Sequence, residues 1–120
     1  MIVEDVAGVL GGAVLYKGEG PGRPVHHVVA SDLMSDVLLV DSDDMLLITS
    51  LASDQVLRTA HIVGAMAVVV TNGKPLPSTM VGVARTLGIP LVTSPLPKYE
   101  SCVRIHAARE SENSRGADGR

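Results

Sequence analysis

From Val25 onward the chain alternates between short apolar runs and helix-patterned stretches, and this alternation restricts the fold more than any other feature of the sequence. The runs "VHHVVAS", "MLLITS", "AMAVVVT" and "IPLVTS" are built mostly from aliphatic and β-branched side chains, and each closes on Ser or Thr. Between them lie "SDLMSDVLLV", "QVLRTAHIV" and "STMVGVARTLG", whose apolar residues recur at helical spacing. Such a pattern predicts an α/β fold, layered, with a largely parallel sheet flanked by helices. Hydrophobic residues make up 46% of the chain, yet Phe and Trp are absent and Tyr numbers two. The core must therefore be Val, Leu, Ile, Met and Ala, which suits strands covered on both faces.

Element limits follow from local chemistry. "MIVEDVAGVLGG" carries apolar residues at 2, 3, 6, 7 and 10, one helix face, with Gly11-Gly12 as a left-handed stop. "AVLYK" then reads as a strand and "GEGPGRP" as a loop. Ser31 or Asp32 is the expected cap of a short helix that buries Leu33, Met34, Val37 and Leu38, and Ser53 or Asp54 caps the next, with Val56, Leu57, Ala60 and Val63 inward. Met80, Val83, Ala84 and Leu87 share a face of the third, which Gly88 and Pro90 terminate. In the last helix, "KYESCVRIHAA", the expected core face is Tyr99, Cys102, Val103 and His106.

At 120 residues the chain has room for one domain, expected over residues 1–107. "RESENSRGADGR" offers almost nothing to bury, so residues 108–120 are predicted to form a disordered tail. The net charge of -3 and the scattered Lys and Arg give no basic stripe for nucleic acid. The apolar runs are too short to cross a bilayer and no leader-like segment opens the chain, which predicts a cytoplasmic protein without membrane contact. One cysteine excludes an internal disulfide. His26 and His27 point to opposite faces of a strand, and "DSDDM" lacks the Gly and distal Glu of a calcium loop. No metal and no cofactor is expected.

If the strands run parallel, their carboxyl ends meet along one edge. That edge collects Ser31, Asp32, Thr49, Ser50, Thr71, Asn72, Gly73, Thr93 and Ser94. Ser, Thr, Asn and Asp are selected there by helix caps and turns alone. In open α/β sheets the same edge is also where ligands bind, so these nine residues are candidate ligand-binding positions for a small nucleotide or anion.

The stretch "GAMAVVVTNGKPLPSTMVGVARTLGIPLVTSPLPKYESCVRI" resembles the DRTGG domain family, in which an apolar strand ends in a Thr-Gly-Gly-like turn, followed by a helix, a "GIP" strand and a Phe-Glu helix start. "VVASDLMSDVLLV" followed by "MLLITS" is similar to small stand-alone DRTGG proteins found beside iron-only hydrogenase subunits. The resemblance spans roughly residues 1–106. Ser31, Asp32, Ser35 and Asp36 match the family's Ser-Asp-Leu-Leu-Ser-Asp pattern, Thr71 and Gly73 its turn, and Tyr99-Glu100 its Phe-Glu. Asn72 stands where the first turn Gly is usual, and "SLASDQ" occupies a segment that carries His-Pro-Asn in the hydrogenase-linked members. The resemblance implies a domain similar to the HPr kinase/phosphorylase N-terminal domain and to modules set between CBS domains in regulated pyrophosphatases. It implies a homodimer engaged in regulation or assembly, with a partner enzyme subunit in hydrogenase or carbon and energy metabolism.

Two function classes follow. One is a non-catalytic regulatory or accessory module that dimerises and binds a small ligand or a partner protein. The other is a small enzyme or phosphoryl-transfer component using the polar edge. Neither a G-x-x-x-x-G-K-[ST] loop nor a G-x-S-x-G elbow is present, which favours the module.

Overall fold

The structure, a computed structural model, describes residues 1–118. The elements run α1 (Val3–Leu10), β1 (Ala13–Tyr16), β2 (His27–Ala30), α2 (Met34–Val37), β3 (Met45–Thr49), α3 (Asp54–Val63), β4 (Ala67–Val70), α4 (Met80–Leu87), β5 (Leu91–Thr93) and α5 (Lys98–Asp118). They form a five-stranded sheet of order β1-β5-β4-β3-β2. β2 through β5 are parallel, and β1 pairs antiparallel with β5 at one edge. This is the layered, largely parallel α/β architecture that the alternation predicts.

Both faces of the sheet are covered, as parallel strands require. In β3, Met45 and Leu47 face α2, α3 and α4, where they meet Met34, Val37, Val56, Leu57, Ala60, Met80 and Ala84. The alternate residues Leu46 and Ile48 face α1 and α5, against Val3, Val6, Ala7, Leu10 and Ile105. Every residue of β3 and β4 is buried, so these two strands are the centre of the molecule.

Helices α1, α3 and α4 each stop at a left-handed glycine, Gly11, Gly64 and Gly88. Gly12 has a different task. A Cβ there would stand 1.8 Å from the Thr93 carbonyl oxygen, so only glycine lets the start of β1 come this close to β5. The Gly- and Pro-rich loop is held by Arg23, whose Nε donates to Asp44 Oδ1 at 2.7 Å and whose Nη2 donates to the Gly64 carbonyl at 2.9 Å.

Three expectations change. α2 is capped by neither Ser31 nor Asp32: its N-cap is Leu33, and Leu33 and Leu38 are exposed while Met34 and Val37 are buried. Only one turn of helix fits here, too short to turn four apolar side chains inward. α5 is rotated from its expected phase. Ser101 and Ile105 are buried, whereas Tyr99, Val103 and His106 are exposed and Cys102 is partly covered. α5 also continues through residue 118, so the stretch from Ala108 expected to be disordered is helical as far as it is described. Residues 119 and 120 of that expectation lie outside the described residues. Adding residues to an existing helix needs no new nucleus, and Arg109 Nη2 donates to the His26 carbonyl at 2.9 Å. Among the described residues no helix is long and apolar enough to cross a membrane.

Candidate functional site

The parallel strands bring their carboxyl ends together, with Val70 beside Thr93 and Thr49 beside Val70. All nine sequence-predicted residues lie along this edge, eight of them in two joined groups and Ser31 apart in a local turn.

Asp32, just past β2, reaches across to the end of β3. Its Oδ1 accepts the Thr49 hydroxyl at 2.9 Å and the Ser50 N–H at 2.8 Å. Oδ2 accepts a short bond from the Ser50 hydroxyl and another from Lys98 Nζ at 2.8 Å. Burial alone would raise the pKa of this carboxyl. Lys98, the Ser50 hydroxyl and N–H and the Thr49 hydroxyl outweigh that effect and hold it far below the usual carboxylate range. Ser31 stands aside from this group, closing a local turn in which its hydroxyl accepts the Leu33 N–H at 3.1 Å.

The second group lies at β4 and β5. The Thr71 hydroxyl donates to the Thr49 carbonyl at 3.3 Å, which links the two groups. Asn72 and Gly73 both take left-handed backbone conformations, φ 71° and 60°. Their N–H groups thereby point to the Leu96 and Ser94 carbonyls at 2.8 and 2.9 Å. Asn replaces Gly here at small cost, because Asn enters this region more readily than other side chains. The Ser94 and Ser101 hydroxyls share a buried hydrogen bond of 2.8 Å. This bond and the Lys98 contact fix the phase of α5.

Burial divides these residues by task. Thr49, Thr71 and Ser94 are fully buried and act as fasteners between strand ends. Asn72 and Gly73 are exposed, and Asp32, Ser50 and Thr93 are partly so. Beside them an open cleft of about 320 Å³ is lined by Gly11, Gly12, Gly73, Lys74, Thr93 and Ser94. Lys74 Nζ donates to the Ser50 carbonyl at 2.7 Å. No carboxylate among the described residues meets its charge.

Lys74, Lys98 and Ser101 are the members that sequence reasoning missed. Lys74 carried a signal, since it follows Thr71-Asn72-Gly73 directly. Lys98 and Ser101 carried none, because their partners are distant strand ends. Chemically, the Asp32 carboxylate is committed to four donors and held ionised, which makes it a poor proton acceptor near neutral pH. Burial pushes the Cys102 thiol up, with Lys98 opposing in part, so it is no ready thiolate. Among the described residues no cluster of His, Cys, Asp and Glu is arranged to hold a metal ion.

No family model matches the chain, and no curated protein matches it in sequence. Among solved structures it is similar to the CBS and DRTGG domains of the regulatory region of Clostridium perfringens pyrophosphatase, determined in complex with the activator diadenosine tetraphosphate. The TM-score is 0.67 over 87% of this chain, at 14% identity. This chain spans 45% of that one. At such identity the likeness shows the fold, and it supports the DRTGG-like architecture that the sequence resemblance implies.

Proposed function

We propose that this chain is a non-catalytic regulatory module of DRTGG type that self-associates and binds a small anionic ligand, a nucleotide or a simple anion, at the carboxyl edge of its sheet. The observation that carries the reading is the juxtaposition at that edge: a locked Asp32–Lys98 network, and beside it an open cleft with the charge-unmatched Lys74 on its rim. Strand carboxyl ends are where open α/β sheets take ligands. A structural neighbour described as a regulatory region with a nucleotide activator supports regulation over catalysis. The low-lying Asp32 carboxyl counts against an acid–base enzyme. The partner implied by the resemblance, an enzyme subunit in hydrogenase or energy metabolism, belongs to this proposal as the recipient of the signal.

Thermal melts with ATP, diadenosine tetraphosphate, phosphate and sulfate test the ligand. Binding to the native state alone raises the melting temperature. The expected result is a rise with at least one of these probes that disappears in Lys74→Ala, while the unliganded variant melts as the native protein does. No rise with any probe at millimolar concentration, or a rise untouched by Lys74→Ala, overturns the assignment.

A further inference from the structure

The cleft at the carboxyl edge sets narrow terms for what can fill it. Among the described residues that line it, Lys74 alone is charged and none is aromatic. A lysine ammonium has three N–H groups to donate. One is held by the Ser50 carbonyl at 2.7 Å, which leaves the others for a ligand. The Thr93 hydroxyl, on the same lining and partly exposed, has no hydrogen-bond partner among the described residues. An ammonium and a free hydroxyl therefore share one small opening.

The backbone adds little to them. Turns that grip polyphosphates do so by aiming successive free N–H groups at the ligand. The left-handed Asn72-Gly73 turn has the outline of such a cradle, but its N–H groups donate to the Leu96 and Ser94 carbonyls at 2.8 and 2.9 Å. The Ser94, Gly11 and Gly12 N–H groups are committed as well, to the Val70, Gly8 and Ala7 carbonyls. α1 also ends at this cleft, at Gly11, and its last turn holds no basic residue. The negative end of its dipole, worth about half an elementary charge, offsets part of the charge on Lys74. The cleft can satisfy one anionic group and has nothing left for a second.

We infer that the ligand of this cleft carries a single compact anionic group, as inorganic phosphate, sulfate or a small phosphate ester does, and that nucleoside polyphosphates are not its ligand class. The inference rests on the proposed anion site and narrows it. The unused Lys74 N–H groups and the Thr93 hydroxyl suit the oxygens of one such group, bound by charge-assisted hydrogen bonds. Gly11, Gly12, Ala13 and Pro95 make the rest of the wall uncharged and small. That leaves room for a short apolar body but gives a nucleobase no aromatic face to stack on. A polyphosphate chain would set its further charges against the end of α1, with no second cation on the lining to meet them.

Amide NMR titrations of the full chain at fixed pH and ionic strength test this, with phosphate, sulfate, tripolyphosphate, ATP and diadenosine tetraphosphate as probes. Phosphate and sulfate are expected to shift the Gly11, Gly73, Lys74 and Thr93 resonances to saturation, and the polyphosphates to bind no tighter. Lys74→Ala, at an exposed position, is expected to abolish the shifts. Thr93→Val is expected to weaken phosphate binding about tenfold, because a hydrogen bond to a charged group is lost, and Thr93→Ser, which keeps the hydroxyl, to bind as the native chain does. A polyphosphate that binds tighter than phosphate at these amides, or a phosphate affinity untouched by Thr93→Val, overturns the single-anion inference and leaves the anion site standing. No shift of these amides with any probe, or shifts untouched by Lys74→Ala, overturns both.

Discussion

Asp32 is about a third exposed and still serves as the joint between β2, β3 and α5, because four donors converge on its two oxygens. Asp32→Asn removes the charge that Lys98 and the two hydroxyls complement. Charge-assisted bonds are worth about 1.5–3 kcal/mol, and discounting for solvent screening leaves an expected loss of about 1 kcal/mol near neutral pH. The sign of the pH dependence follows from the lowered pKa. The contribution is fully present above the unfolded value of 3.8 and is lost as pH falls through the lower folded value. Melting temperatures of native protein and Asp32→Asn should therefore differ by a constant amount at neutral pH and converge below 3.8; a gap that widens in acid would contradict the network. At Gly12 the constraint is steric. The position of a Cβ 1.8 Å from a backbone oxygen leaves no flexible neighbour to yield, so Gly12→Ala should cost about 2 kcal/mol or more, read as a lower midpoint in urea. These two positions differ in legibility. Gly12 looked in sequence like the second half of a helix stop, and nothing local revealed that β5 presses against it.

At the scale of elements, α5 shows how far periodicity reaches. Its apolar stripe was legible as a stripe, but the face it turns to the sheet is set by Lys98 and Ser101, whose partners lie on other strands. Its length was misread for a related reason. Composition after Ala108 predicts no burial, but a helix already nucleated extends through Ala, Arg and Glu at little cost. Ending the chain after Ala108 removes Arg109 and its exposed bond to the His26 carbonyl, and it frees the Met1 amino group from Glu112. Exposed contacts of this kind are worth little each. The truncated chain should keep its fold and lose about 1 kcal/mol, with faster amide exchange at the end of α5. An unchanged melt and unchanged exchange would show that the last turns contribute nothing. α2 is the opposite case: the sequence promised a longer buried helix and one turn formed, leaving Leu33 and Leu38 in solvent.

For the whole molecule, the alternation of strand and helix already implied a mostly parallel sheet, and with it the gathering of Thr49, Thr71 and Thr93 on one edge. The turn at Asn72-Gly73 and the glycine stops of α1 and α4 were legible for the same reason, whereas the stop of α3 at Gly64 was not read. Each depends on residues within one or two turns of itself, and steric rules and side-chain periodicity act at that range. The order β1-β5-β4-β3-β2, the reversal of β1 and the place of β2 at the sheet's edge were not legible. They depend on which apolar faces find one another after collapse, and Val-, Leu- and Ile-rich strands look alike to a local reading. The candidate site divides along the same line. Its strand-end hydroxyls and Asp32 stand in the sequence, whereas Lys98 arrives from 66 residues away. Only the packing of α5 over the finished sheet could decide that contact, because no local rule links a helix start to a strand end that far along the chain.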